Sequence, residues 1–237
     1  MADSNQIDPQ PFRILFEDQH LLVLSKAAGL LSQSDSSGEA SLVDLLRSYF
    51  NRKYVGLLHR LDRNTSGLMV VAKRSKSAER MTAQLQSGEL VRHYHAILWG
   101  ELKSKDPLRW QHSLLKNEST NEVRVVKANT PKAKLAILTV IPVYNFLAQH
   151  SQAPLTLARF ELETGRSHQI RVQAQVSGYP LIGDSKYGNA KSLTEFSRPA
   201  LHSCSLQFLH PMSRELMHFE ERYSTDMIAS FPILSDH

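Results

Sequence analysis

Only one cysteine, Cys204, occurs among 237 residues, which excludes an internal disulfide framework and any cysteine-rich zinc site. No stretch approaches the ~18 consecutive apolar residues of a membrane span. The N-terminus, MADSNQIDPQP, has neither a basic start nor an apolar core, so it does not read as a signal peptide. These absences predict a cytoplasmic chain with no membrane partner. Internal repeats and low-complexity segments are missing too. What is present is an ordinary globular composition, 41% hydrophobic and 22% charged, at a length suited to one large domain or two small ones.

Charge is unevenly spread. The chain carries +5 overall, but residues 47–103 hold 11 Lys and Arg against four acids, Asp62, Glu79, Glu89 and Glu101. Both ends are acidic, with one Arg and four acids in residues 1–20 and two Arg and five acids in residues 211–237. A basic middle between acidic ends points to a localised anionic partner, and nucleic acid leads because clustered cations displace counterions from phosphates. The alternative is a solvated basic face.

Residues 1–11 read as a polar, flexible arm with two prolines. ILFEDQHLLVLSK suits a β-hairpin turning at Asp18-Gln19. Ser41 heads an amphipathic pattern at Leu42, Leu45, Leu46 and Tyr49, with Asp44 placed for a capping box. LMVVAK is a buried-type strand, residues 75–86 a helix stopped by Gly88, and VRHYHAILWG a strand. Residues 103–134 are polar and Lys-rich and read as an exposed hairpin or loop excursion. AKLAILTVIPVY and PLTLARFEL are further strands, Ser167 opens a helix over SHQIRVQAQVSG, and HSCSLQFLHP is a late strand. Strands and helices in no regular alternation predict an α+β fold with a mostly antiparallel sheet.

Chemistry concentrates in LLHRLDRNTSGLMVVAK. Between His59 and Ser66 every residue but Leu61 is polar, and a glycine and a strand follow. This is the pattern of a functional loop on a rigid scaffold, with Asp62 as its carboxylate. A connecting loop with Asx-turn chemistry around Asn64 and Gly67 is the plainer reading.

HRLDRNTSG resembles the HRLD-x-x-TSG signature of the RluA-type pseudouridine synthases. ILFEDQHLLVLSKAAGL is similar to the family's opening hairpin, VRHYHAILWG to its Lys-x-Tyr-x-Ala strand, and ALHSCSLQFLHP to its Leu-His-Ala…His-Pro strand. LETGRSHQIRVQAQVSGYPLIGDSKYG resembles its Thr-Gly-Arg-x-His-Gln-Ile-Arg block and the Gly-Asp-x-x-Tyr-Gly that follows. The five blocks arrive in family order across residues 13–211. The resemblance therefore implies a single catalytic domain over 12–237 with the pseudouridine synthase fold. One departure is Ala27, where the family has proline after the lysine. Only 12 residues precede Arg13, so the small N-terminal RNA-binding domain of some relatives is not expected, and target recognition falls to the catalytic domain and the 103–134 excursion.

The implied activity is isomerisation of uridines in structured RNA, a transfer or ribosomal RNA stem-loop, by a monomeric enzyme. Asp62 falls on the catalytic aspartate, Tyr94 on the tyrosine that packs against the target base, and Arg171 on the arginine that pairs with the aspartate. A guanidinium beside a carboxylate favours its ionised form, and a tyrosine ring gives an extruded pyrimidine a stacking face. Attack on ribose, attack on the base and proton abstraction are all open to Asp62. RNA contacts are expected from His59, Arg60, Arg63 and Thr65, from Lys73, Arg74 and Lys76, and from Arg166 and His168. Arg60 is expected to fill the gap left by the flipped nucleotide, or else to order the loop through a salt bridge to an acid such as Asp62.

No cofactor or metal is expected. The chain has no G-x-x-x-x-G-K-[ST], no G-x-G-x-x-G and no H-E-x-x-H, and His93 and His95 lack a third ligand at useful spacing. Two other classes fit parts of the pattern. One is a binding-only RNA protein, which has no need of an ionised acid in its groove. The other is a base-excising N-glycosidic hydrolase, which would release free uracil.

Overall fold

The computed structural model describes residues 10–193 and 195–236. Its elements begin with β1 (Phe12–Glu17), β2 (Leu21–Lys26), α1 (Leu42–Phe50), β3 (Gly56–Leu57), β4 (Ser66–Ala72) and α2 (Ser75–Ser87). There follow β5 (Val91–Trp99), β6 (Leu108–Asn117), β7 (Glu122–Val126), β8 (Lys134–Leu147), β9 (Pro154–Leu162) and α3 (Gln169–Val176). The chain ends with β10 (Leu201–Leu209), β11 (Leu216–Glu220), α4 (Thr225–Ser230) and a 3-10 turn at Pro232–Asp236. It divides into two compact units, residues up to Arg92 with those from His202 onward, and His93 to Leu201. Most of the expected N-terminal arm lies outside the described residues.

In the first unit, the β1–β2 hairpin turns on Asp18, whose Oδ1 accepts the backbone N–H groups of His20 and Leu21 at 2.7 and 2.6 Å. β2 pairs antiparallel with β4, from Leu21↔Ala72 to Lys26↔Gly67. All seven residues of β4 are buried, which explains why it reads as a continuous apolar run rather than an alternating one. β10 runs parallel to β4 at His202↔Ser66 and Ser203↔Gly67, and β11 pairs antiparallel with β10. Gly67 is the register partner of Ser203 where β4 meets β10. Its φ is +111°, and a Cβ there would stand 2.3 Å from the Ser203 carbonyl oxygen, so only glycine fits. Ser41 and Asp44 form the expected capping box on α1, worth ~1 kcal/mol, and Gly88 ends α2 in the left-handed conformation. Leu21, Val23, Leu68, Val70, Met81, Leu206 and Phe208 form the core, each side chain contributing ~1.5–3 kcal/mol on burial.

The sheet of the second unit has the order β5–β9–β8–β6–β7, antiparallel throughout. Here the excursion expected at 103–134 is corrected in part. It is a hairpin, but β6 pairs with β8 from Leu108↔Val140 to Leu114↔Lys134, and Leu114 and Val123 are buried with Ala136 and Val172. The polar residues mark its outer face; the alternate apolar ones tie it to the core. The start of α3 is also corrected. His168, at φ +52°, is its first flanking residue, and no side chain caps it. Gln169 does the local work instead, accepting from the Arg166 N–H and the Thr164 hydroxyl at 2.9 Å each and donating to the Ile137 carbonyl at 3.0 Å. β3, β11 and α4 have too short a pattern to have been foreseen.

The architecture is α+β on mostly antiparallel sheet, as expected. No helix among the described residues is long and apolar enough to cross a membrane.

Candidate active site

Asp62 lies in the loop between β3 and β4, half-buried, and the backbone on each side of it is pinned. On one side, the Ser32 hydroxyl accepts the Leu61 N–H at 3.1 Å and donates to the Leu61 carbonyl at 2.7 Å. On the other, the Arg63 carbonyl accepts from the Lys26 ammonium at 3.1 Å and from the Gly29 N–H at 2.9 Å. Asp62's own carbonyl accepts the Thr65 N–H at 3.0 Å. Ser32 is 4% exposed and Lys26 is fully buried. A buried ammonium needs all its donors met. Lys26 meets its own on three carbonyls, adding Ala27 at 2.9 Å and Leu30 at 2.8 Å. The segment 26–32 is therefore a frame for the Asp62 loop.

His59 pins the loop to the sheet. Its Nε2 accepts the Val70 N–H at 3.2 Å, while its Nδ1 is buried with no hydrogen-bond partner. Burial, with the positive charge of Arg92 adding to it, pushes its pKa down from 6.5 to about 3, so the ring is neutral at physiological pH. At the start of β4, Ser66 Oγ lies 2.9 Å from His202 Nδ1, and the Ser203 hydroxyl donates to the Leu68 carbonyl at 3.0 Å.

Tyr94 and Arg171 belong to the second unit. Tyr94, 5% exposed, is register partner of Phe160 across β5 and β9. Arg171 projects from α3 and is 8% exposed. Its Nε and one terminal nitrogen donate to the two carboxylate oxygens of Asp184, at 2.7 and 2.8 Å. The guanidinium carbon lies 5.1 Å from the centroid of the Tyr187 ring.

Three of the expected RNA contacts have side chains engaged inside the first unit. His59 is 8% and Thr65 2% exposed. Lys73 donates to Glu17 at 2.5 Å and to the Asp18 carbonyl at 2.6 Å, with its ammonium 5.2 Å from the centroid of the Phe50 ring. Arg60, Arg63, Arg74, Lys76 and Arg166 are exposed, and His168 is half-buried. Arg63 is held by Glu39 through two bonds of 2.8 and 2.6 Å. Arg74 and Arg166 each donate through Nε to a carbonyl, of Gln19 and Leu135.

Sequence reasoning gave no role to Lys26, Ser32, Asp184 or Tyr187. Lys26 lies in the opening-hairpin block, and Asp184 and Tyr187 in the Gly-Asp-x-x-Tyr-Gly block, so their signal was position within a motif. Ser32 had none, being one serine in a serine-rich stretch.

The site is thus a carboxylate loop pinned on a β-sheet. The family of RNA pseudouridylate synthases matches residues 20–176. The chain is 33% identical over 219 residues to the RNA pseudouridine synthase YhcT of Bacillus subtilis, covering 90% of this chain and 69% of that protein. It is 31% identical over 234 residues to the ribosomal large subunit pseudouridine synthase D of Pseudomonas aeruginosa, covering 91% and 69%. Among solved structures, human RNA pseudouridylate synthase domain containing 1 superposes with a TM-score of 0.72 at 21% identity, over 89% of this chain and 82% of that one. Human RNA pseudouridylate synthase domain containing 4 gives 0.70 at 19%, over 94% and 92%. The chain belongs to the RNA pseudouridylate synthase family, as an RluA-type member, and is an RNA-modifying isomerase.

Proposed function

We propose that this enzyme isomerises particular uridines in stem-loops of transfer or ribosomal RNA, as a cytoplasmic monomer, with Asp62 as its catalytic carboxylate. The target nucleotide is flipped out of its helix, Tyr94 stacks on the extruded base, and Arg171 is the counter-charge of Asp62. The reaction conserves atoms. The N1–C1′ bond breaks, the base turns, and C5 bonds to C1′. N1 gains a proton and C5 loses one. The chain has to supply a fixed carboxylate, a face for the base and cations for the backbone.

The observation that carries this reading is the pinning of Asp62, whose flanking residues are both held by buried groups. Any loop needs its backbone groups met; here the groups that meet them are buried and lie on both sides of one half-buried carboxylate, which fixes where it stands. Arg60, Arg63, Arg74, Lys76 and Arg166, which are exposed, and the half-buried His168 are the groups best placed to meet RNA, and Arg60 takes the gap beside the flipped base. The names of relatives acting on the large ribosomal subunit favour a ribosomal target.

The test is to incubate the protein with total cellular RNA and map pseudouridine at nucleotide resolution. Asp62→Asn should lower formation at the mapped sites by about a thousandfold or more while RNA affinity stays within about threefold. Turnover of the variant within about tenfold of wild type would remove Asp62 from the chemistry. Release of free uracil would replace the isomerase with a hydrolase.

A further inference from the structure

We propose that Asp184 and Tyr187 are positioning residues for Arg171, and that Tyr187 couples that arginine to the β6–β7 hairpin. The inference depends on the reading above, in which Arg171 serves the reaction. Asp184 is fully buried, and its place is set by its neighbour. Gly183 has φ +72°, and a Cβ there would stand 2.0 Å from the Arg198 carbonyl oxygen. Asp184 Oδ1 also accepts the backbone N–H groups of Lys186 and Tyr187 at 3.0 and 3.1 Å, so the carboxylate cannot swing.

The pairing with Arg171 is directional. A guanidinium offers five N–H donors along distinct edges of one plane. Asp184 occupies the edge that carries Nε. A second carboxylate can then be served in a comparable two-bonded way only from the edge holding the two terminal nitrogens. Two parallel bonds fix the plane, and the guanidinium lies over the Tyr187 ring, which adds a cation–π attraction. Asp184 and Tyr187 together determine where the remaining donors point.

Tyr187 has a second attachment. Its hydroxyl accepts the Val123 N–H of β7 at 2.9 Å and lies 2.7 Å from His168 Nδ1. Next to it, the Lys186 ammonium donates to the carbonyls of Thr120 and Asn121, in the turn of the hairpin, at 3.2 and 2.8 Å. The segment 184–187 thus holds Arg171 through Asp184 and Tyr187, and the hairpin through Lys186 and Tyr187. A displacement of β7 would then carry the Tyr187 ring with it, and that ring lies against the guanidinium.

Two measurements test this, one with RNA and one without. On a minimal RNA containing the mapped uridine, Asp184→Asn should lower kcat by about tenfold or more with KM within about threefold. In an Arg171→Lys background, adding Asp184→Asn should cost less than about threefold, since residues acting through one another are not additive. Tyr187→Phe keeps the ring and loses the hydroxyl, and should lower kcat by about threefold with KM within about threefold, with a lower melting temperature because the buried Val123 N–H loses its acceptor. Equal losses in both backgrounds, or an unchanged kcat for Asp184→Asn, would overturn the proposal. Without RNA, hydrogen exchange at the Arg171 Nε–H should be slow in the wild-type protein. It should speed up by about tenfold in folded Asp184→Asn and by less in Tyr187→Phe. An exchange rate that does not move overturns the positioning role. If wild type modifies no RNA but the exchange result holds, the isomerase reading fails while the clamp on Arg171 stands.

Discussion

Asp62 and Arg171 are fixed by opposite means. Around Asp62 the buried side chains of Ser32, Lys26 and His59 act on backbone groups, at Leu61, at Arg63 and on the neighbouring strand at Val70. Around Arg171 the partners Asp184 and Tyr187 act on the side chain itself. The difference follows from where each residue sits. A helix satisfies its own backbone, so α3 needs only to have its arginine aimed. A loop has no ladder, and its N–H and C=O groups must be met by something else. Three buried side chains support the one place, and an ion pair with a neighbouring ring supports the other.

The comparison breaks hardest at Lys26. Lys26→Met keeps the length of the side chain and removes the three hydrogen bonds to Ala27, Leu30 and Arg63. Relief of the buried charge offsets part of the loss, but three carbonyls are left bare. We expect a net destabilisation of about 3 kcal/mol and a fall in kcat larger than the fall in RNA affinity. Chemical denaturation and steady-state kinetics on one preparation check both. An active Met variant of wild-type stability would mean that the frame around Asp62 does not depend on this pin.

His59 gives a pH-dependent version of the same test. Its pKa is about 3 in the folded chain against 6.5 when unperturbed. The unfolded chain takes up a proton as pH falls through 6.5, and the folded one does not until about 3. Stability contributed by the neutral ring is therefore fully present above 6.5 and is lost progressively below it. By pH 5 this single group should cost about 2 kcal/mol. His59→Gln can still accept the Val70 N–H but does not titrate, so its unfolding free energy should fall less between pH 7.5 and pH 5, by about the same amount. An identical slope in the two proteins would place the acid sensitivity elsewhere.

The sequence made some of this legible and hid the rest for physical reasons. The β1–β2 hairpin, the capped α1 and the apolar β4 were readable because each announces itself locally, through Asp18, through Ser41 with Asp44, and through an unbroken apolar run. β6 was not, since its polar outer face dominates the composition of residues 108–117 and pairing with β8 is a long-range fact. His59 and Thr65 look like RNA contacts in a string of polar residues, and only burial shows that they serve the fold. Asp184 carried no role because its partner lies 13 positions away. The charge map could not show the Glu17 partner of Lys73 for a related reason. A basic residue is counted the same whether it faces phosphate or, as here, Glu17.

The smallest expected effect is at Ser32, and it discriminates best between a pin and a filler. One hydroxyl serves both polar groups of Leu61, as acceptor at 3.1 Å and donor at 2.7 Å. Ser32→Ala removes both bonds and leaves a buried N–H and a buried carbonyl unmet, with almost no change in volume. The stability cost should be about 1–2 kcal/mol. If Ser32 only filled space, Cys would restore it as well as Thr, because both fit a small buried site. If it pins the residue before Asp62, Ser32→Thr should recover most of the kcat lost by Ala, and Ser32→Cys little of it, since a thiol is a weak donor and acceptor. We expect Ala to lower kcat by about threefold to tenfold with RNA affinity unchanged. Rescue by Cys equal to that by Thr would show that the hydroxyl's bonds to Leu61 are incidental to where Asp62 stands.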